Sequence, residues 1–214
     1  MNLKFASIAA GLILALASTS SADIITYPDI ENTILTFSNI TESSLDSSPL
    51  FGQPSLQDDS LVFDNPLFSI LTSNNNLEFV DGRVTASVSS KGPQGITSFN
   101  LTETGTYEIL GDGIVSVSAI AFAVAEEEIY QGSFQFEESL AGSGTWTRSL
   151  DINFAAPVTT FSLVIDNQLF ASANSDSTAS IGKDNITITV NTIPEPSIAW
   201  LAMSTTLLAL RRRR

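Results

Sequence analysis

Apolar and polar residues alternate with a period of two along most of the chain, and each run ends at turn-forming residues. Leu35 and Phe37 are flanked by Thr36 and Ser38, and Val84, Ala86 and Val88 alternate with Thr85 and Ser87. Further runs fall at 61–63, 67–71, 77–80, 96–101, 107–110 and 114–124. Later come Phe134 and Phe136, then Trp146, Leu150, Ile152 and Phe154, with Arg148 interrupting that series. Phe161, Leu163 and Ile165 follow, and Ile186, Ile188 and Val190 make the last run. Side chains on successive strand residues point to opposite faces, so this pattern predicts half-buried strands. The expected turns are 39–60, Asp64-Asn65-Pro66, 73–76, Asp81-Gly82, 91–95, 111–113, Gly142-Ser143-Gly144 and Asp166-Asn167. Residues 120–124 are apolar on both faces, as expected of a central strand, and Glu126-Glu127-Glu128 reads as a solvated loop. Roughly ten strands with no segment of period 3.6 predict an all-β, antiparallel, jelly-roll-like β-sandwich.

The two ends break this pattern. Residues 1–22 carry Lys4, an apolar stretch from 5 to 17, and a small polar segment ending at Ala22. That is the layout of a secretory signal peptide, with cleavage expected between Ala22 and Asp23. At the other end stand Pro194, Glu195, Pro196 and Ser197, then an apolar run over 198–210, then Arg211, Arg212, Arg213 and Arg214. The prolines keep the backbone extended and block helix upstream, leaving a segment that a protease can bind. Ser197 can cap a helix over the apolar run. Thirteen residues at about 1.5 Å each make a span of about 20 Å, short against a hydrocarbon core of about 30 Å. Arginine stems that snorkel extend it and set the cytoplasmic side by the positive-inside rule. The expected organisation is a signal peptide (1–22), an exported β-sandwich (23–193) and a short transmembrane sorting helix within 194–214.

The order of Pro-Glu-Pro, apolar helix and arginine cluster resembles the PEP-CTERM sorting signal of exopolysaccharide-producing Gram-negative bacteria. The resemblance implies recognition and removal of the tail by an exosortase-type membrane protease, and transient tethering to the inner membrane. Scattered matches in the body, Leu50-Phe51-Gly52-Gln53-Pro54, Val80-Asp81-Gly82 and Ile181-Gly182-Lys183-Asp184-Asn185 among them, look like a group of such proteins. They imply a secreted β-rich domain and no catalytic residue.

Composition narrows the chemistry. Arg83, Lys91, Arg148 and Lys183 are the only basic residues between the two end segments, whereas all 23 acidic residues except Glu195 lie there. Such a surface repels nucleic acid and favours cations or neutral partners. Cysteine and histidine are absent, which excludes disulfides, His-based nucleophilic triads and most zinc sites. The domain is expected to be held by its core, with no cofactor beyond a structural Ca²⁺.

Three groups of residues carry candidate chemistry. Asp184, just before the last strand, is similar in placement to the calcium-holding acid of jelly-roll carbohydrate-binding modules. Glu31 and Asp176 (or Asn174) are its candidate partners, since calcium takes six to eight oxygens. The plainer reading of Asp184-Asn185 is a polar loop. Tyr130 and Trp146 are the candidate flat faces for a glycan, although Trp146 is in register with apolar neighbours and reads equally as core. Carboxylates at 126–128 and 137–138 supply the residue types for glycoside hydrolysis, but adjacency in sequence does not set their separation, and an enzyme is not expected. The sequence therefore predicts an exported matrix protein of structural or adhesive role. The alternative is a calcium-stabilised carbohydrate-binding module acting on extracellular polysaccharide.

Overall fold

The computed structural model describes residues 23–45, 49–92 and 94–194, and within them the chain is all-β, in two antiparallel sheets. The strands are β1 (Asp23–Thr26), β2 (Ile30–Glu31), β3 (Leu35–Ser44), β4 (Ser55–Gln57), β5 (Ser60–Asp64), β6 (Ser69–Ser73) and β7 (Leu77–Ser90). There follow β8 (Gln94–Leu110), β9 (Gly113–Ala125), β10 (Glu128–Glu138), β11 (Gly142–Val158), β12 (Thr160–Ala173) and β13 (Thr178–Pro194). One sheet runs β1-β3-β7-β12-β9-β10, with β2 also on β3. The other runs β11-β8-β13-β5-β4, with β6 beside β13.

The alternation read from the sequence is the alternation of burial. In β9, Val115, Val117, Ala119, Ala121, Ala123 and Ala125 face inward, and in β12 Phe161, Leu163, Ile165, Leu169 and Ala171 do so. Phe99 of β8 stacks on Phe161 of β12 with ring centroids 5.5 Å apart, so the two sheets meet through aromatic contact. Phe51, Phe63 and Phe68 form an edge-to-face group at 5.6 and 5.1 Å that fills one end of the core. Burial of such side chains is worth roughly 1.5–3 kcal/mol each, and it holds together a chain without cysteine.

Several expected turns are strand instead: Gly142-Ser143-Gly144 opens β11, and the expected turn stretch 39–60 holds the end of β3 and all of β4. Asp81-Gly82 is not a turn: β7 runs straight through it. Gly82 is required instead because a Cβ there would sit 2.8 Å from the Phe68 ring. Asp166-Asn167 likewise lies within β12, paired to Arg83 and Gly82 across the strand. The solvated loop expected at 126–128 is present as an exposed two-residue hairpin turn, Glu126 and Glu127, both at positive φ to match the twist of the flanking strands, and Glu128 already begins β10. The doubly apolar stretch 120–124 belongs to β9, which is paired on both edges, yet Ile120 and Val124 are more than two-fifths exposed on its outer face.

The leader with Ala22 and the tail from Glu195 to Arg214 lie outside the described residues. No helix among the described residues is long and apolar enough to cross a membrane.

Candidate functional site

β13 lies between β8 on one side and β5 and β6 on the other, and its inward and outward faces build two different environments. The outward face forms an open groove of about 740 Å³ over β6, β13 and β8. Ser69 and Leu71 border it on β6, Thr106 and Glu108 on β8, and Ser180 and Asp184 on β13. Gly182 keeps the floor low, since a Cβ there would meet Ser69 at 3.3 Å. The groove offers hydroxyls and two carboxylates, groups that hydrogen-bond to a polyhydroxylated or cationic ligand. The aromatic ring nearest to it, Tyr107, packs against Phe136 at 5.6 Å.

Beneath this floor the interior holds three polar side chains. Glu103 (β8), Lys183 (β13) and Asn167 (β12) are buried, and the Lys183 and Glu103 side chains have no solvent exposure. Lys183 Nζ donates to Glu103 Oε2 and to Asn167 Oδ1, each at 2.5 Å. The Phe68 ring covers the same nitrogen with its centroid at 5.1 Å. Among the described residues, Glu103 Oε1 and Asn167 Nδ2 have no hydrogen-bond partner. Desolvation pulls the Lys183 ammonium below its usual range, against the opposing pull of Glu103. Two inward-facing glycines flank the group. Gly82 pairs with Asn167, and Gly105 pairs with Lys183. A Cβ at Gly105 would lie 2.0 Å from the Gly182 carbonyl oxygen and 2.6 Å from the Trp146 ring.

A second buried carboxylate, Glu42 of β3, accepts from the backbone N–H groups of Leu50, Phe51 and Gly52 and from the Tyr27 hydroxyl at 2.6 Å. Burial first, then this hydrogen bond and the Glu42 charge, raise the Tyr27 phenol well above its ordinary value. Glu42 thereby pins the segment that carries the Phe51 ring into the core.

The candidates read from the sequence are dispersed. Trp146 is 3% exposed and stacks on Phe136 at 5.9 Å, so it is a core residue and not a glycan platform. Its register with Leu150, Ile152 and Phe154 already pointed that way. Tyr130 lies in β10, half-buried, with its ring edge-on to Phe154 at 5.1 Å and its hydroxyl donating to Glu128 at 2.5 Å. Asp184, Glu31 and Asp176 are not brought together. Glu31 of β2 is ion-paired with Lys91 at 2.7 Å, which lowers its pKa. Asp176 sits at positive φ in the β12–β13 turn, and Asp184 is exposed at the irregularity in β13. Among the described residues no group of three or more acidic side chains is arranged to hold a metal ion. The physical reason is topological: the first of these residues belongs to one sheet and the last to the other. Of the sorting motif only Pro194 is described, as the final residue of β13, while Glu195, Pro196, Ser197 and the four arginines lie beyond.

No protein-family model matches the chain, and no curated protein does. Among solved structures, TmCBM61 in complex with β-1,4-galactotriose matches at 11% identity over 70% of this chain and 88% of that one, with a TM-score of 0.24. The bacteriophage CBA120 tailspike protein 4 enzymatically active domain matches at 11% identity and a TM-score of 0.26, over 81% of this chain and 19% of that one. The VP2 protein of infectious bursal disease virus matches at 14% identity and a TM-score of 0.25, over 81% and 56% of the two chains. At TM-scores this low none of these likenesses bears on what the chain does.

Proposed function

We propose that this chain is an exported structural or adhesive protein of an extracellular polysaccharide matrix, with no catalytic role. Its leader (1–22) directs export, and an exosortase-type protease removes the segment after the Pro-Glu-Pro motif once the tail has held the chain at the inner membrane. The mature sandwich is then released to the cell surface or beyond. The observation that carries this reading is the placement of β13. It is hydrogen-bonded to partners on both edges along its middle and to β8 up to Pro194, so the folded domain runs without a linker into the motif. The strand order supports a jelly-roll sandwich: β5-β13-β8-β11 faces β7-β12-β9-β10, with the chain crossing between sheets as two interlocked Greek keys do. A negatively charged, serine- and threonine-rich exterior suits a hydrated, polyanion-poor polymer more than nucleic acid.

The test is to express the full chain in a host that carries an exosortase and to read both termini of the exported protein by mass spectrometry. The account expects a chain beginning at Asp23 and ending within 194–197, and Pro194→Ala combined with Pro196→Ala is expected to block the second cut. A full-length chain held in the membrane in both cases would contradict it.

A second reading, a carbohydrate-binding module, draws on the groove over Gly182 with Glu108 and Asp184 at its rim. Affinity electrophoresis of the wild type and of Gly182→Val against a polysaccharide panel separates the two. Saturable retardation lost in the variant favours the module, and uniform migration favours the matrix role.

A further inference from the structure

Lys183, Asn167 and Glu103 form a buried constellation that the matrix role does not require. An amine and a carboxamide face each other across the two sheets, with a carboxylate touching the amine and an aromatic ring sealing it. Both acceptors lie within hydrogen-bond distance of Lys183 Nζ, at 2.5 Å. As a permanent ion pair the group is poorly built. Among the described residues one carboxylate oxygen and the carboxamide nitrogen have no partner, and burial of both charges exacts a desolvation penalty that their attraction does not readily offset. Trp146 and Phe68 fill the room left by Gly105 and Gly82, so no space remains for a larger bound group beside Lys183.

We propose that Lys183 and Asn167 join in an autocatalytic intramolecular amide bond, with Glu103 as the proton carrier. The ammonium proton of Lys183 passes along the 2.5 Å contact to Glu103 Oε2, giving a neutral amine and a carboxylic acid. The Nζ lone pair then attacks Cγ of Asn167, whose carbonyl oxygen already accepts from Nζ. Glu103 delivers its proton to Asn167 Nδ2 and takes one from the attacking nitrogen. The Cγ–Nδ2 bond breaks, ammonia leaves, and a Cγ–Nζ amide remains beside the protonated Glu103. No oxidant, reductant or added reagent is consumed. Desolvation favours the uncharged amine that the attack needs, fixed proximity replaces a bimolecular encounter, and the closed site keeps water from competing. Afterwards the site carries no charge, which relieves the unpaired interior.

The bond would tie β12 of one sheet to β13 of the other, 16 residues apart in sequence. In a chain without cysteine it provides the covalent brace that a disulfide provides elsewhere. β13 leads to Pro194, so tension applied from the C-terminal side would peel the strand only as far as Lys183.

Peptide mapping of the purified, folded full chain tests this under denaturing conditions. Trypsin cuts after Lys and Arg, so a free Lys183 yields a fragment of residues 149–183. The proposal expects cleavage at Lys183 to fail and the longer fragment to be lighter by one ammonia, about 17 Da, with fragmentation placing the branch between 167 and 183. Lys183→Arg should restore the full mass. Asn167→Asp, which offers a carboxylic acid in place of the amide, should lose one water instead of ammonia. Folded wild-type protein with full mass and a cleavable Lys183 would leave a buried ion pair only and overturn the proposal. So would an ammonia loss located at any other asparagine.

Discussion

Glu42 and Glu103 are carboxylates without solvent exposure, one in each sheet, and their surroundings have opposite designs. Glu42 accepts from three backbone N–H groups and a phenol. The three backbone donors belong to the segment that the carboxylate holds in place, and the phenol comes from Tyr27, which follows β1. Among the described residues Glu103 has a single partner, Lys183, and keeps an idle oxygen beside an idle carboxamide nitrogen. A saturated carboxylate is a fastener, because nothing is gained by moving a proton or a bond near it. An unsaturated one beside a desolvated amine is poised to change. The lesson is that burial alone does not assign a role to a polar residue; the balance of donors and acceptors around it does.

Removing the fastener should have the largest effect. Glu42→Ala strands three backbone donors, each costing about 1–3 kcal/mol, so at least about 3 kcal/mol of stability should disappear in chemical denaturation. A loss below 1 kcal/mol would break the contrast from that side. Gly105→Ala comes next. Its Cβ must displace the Gly182 carbonyl and the Trp146 ring, and overpacking of this kind costs about 1–3 kcal/mol. The same change moves Lys183 off its partners, so the ammonia loss should fall in parallel.

Tyr27→Phe sharpens the description of Glu42. It removes one hydrogen bond to a buried carboxylate, with an expected cost of about 1.5 kcal/mol. It also changes the pH profile. The phenol of the folded protein is raised, so its contribution is fully present below the unfolded value of about 10 and is lost as pH climbs through the folded value. Wild-type stability should therefore decline above about pH 10, and the Tyr27→Phe variant should lose that part of the decline. The smallest effect belongs to Arg83→Ala. Its ion pair with Asp166 is exposed, and such pairs are worth about 0–1 kcal/mol; a larger loss would mean that the outer face of that sheet is covered by a partner.

Much of the sandwich was legible because burial follows a period of two, and that period is a property of the sequence itself. β9 and the first half of β12 could be read in this way. The turns were less legible: Asp81-Gly82 and Asp166-Asn167 have turn chemistry, yet both lie mid-strand, because Gly82 makes room for Phe68 and Asn167 faces Lys183. The triad had a signal of its own. Glu103 is in phase with Leu101 and Ile109, Lys183 with Ala179 and Ile181, and Asn167 with Ile165 and Leu169. Three polar residues at inward positions mark interior chemistry, but their meeting depends on strand order, which the alternation does not encode. The dispersal of Glu31, Asp176 and Asp184 has the same cause.

The most direct test of the contrast is the intact mass of two isosteric variants purified in folded form beside the wild type. Glu42→Gln, though less stable, should show the same loss of one ammonia as the wild type, since the fastener takes no part in proton transfer. Glu103→Gln should keep its full mass, because no group remains to carry the proton from Lys183 to Asn167. If Glu103→Gln shows the loss as completely as the wild type, or if the folded wild type shows none, Glu103 is no more reactive than Glu42 and the distinction between them fails.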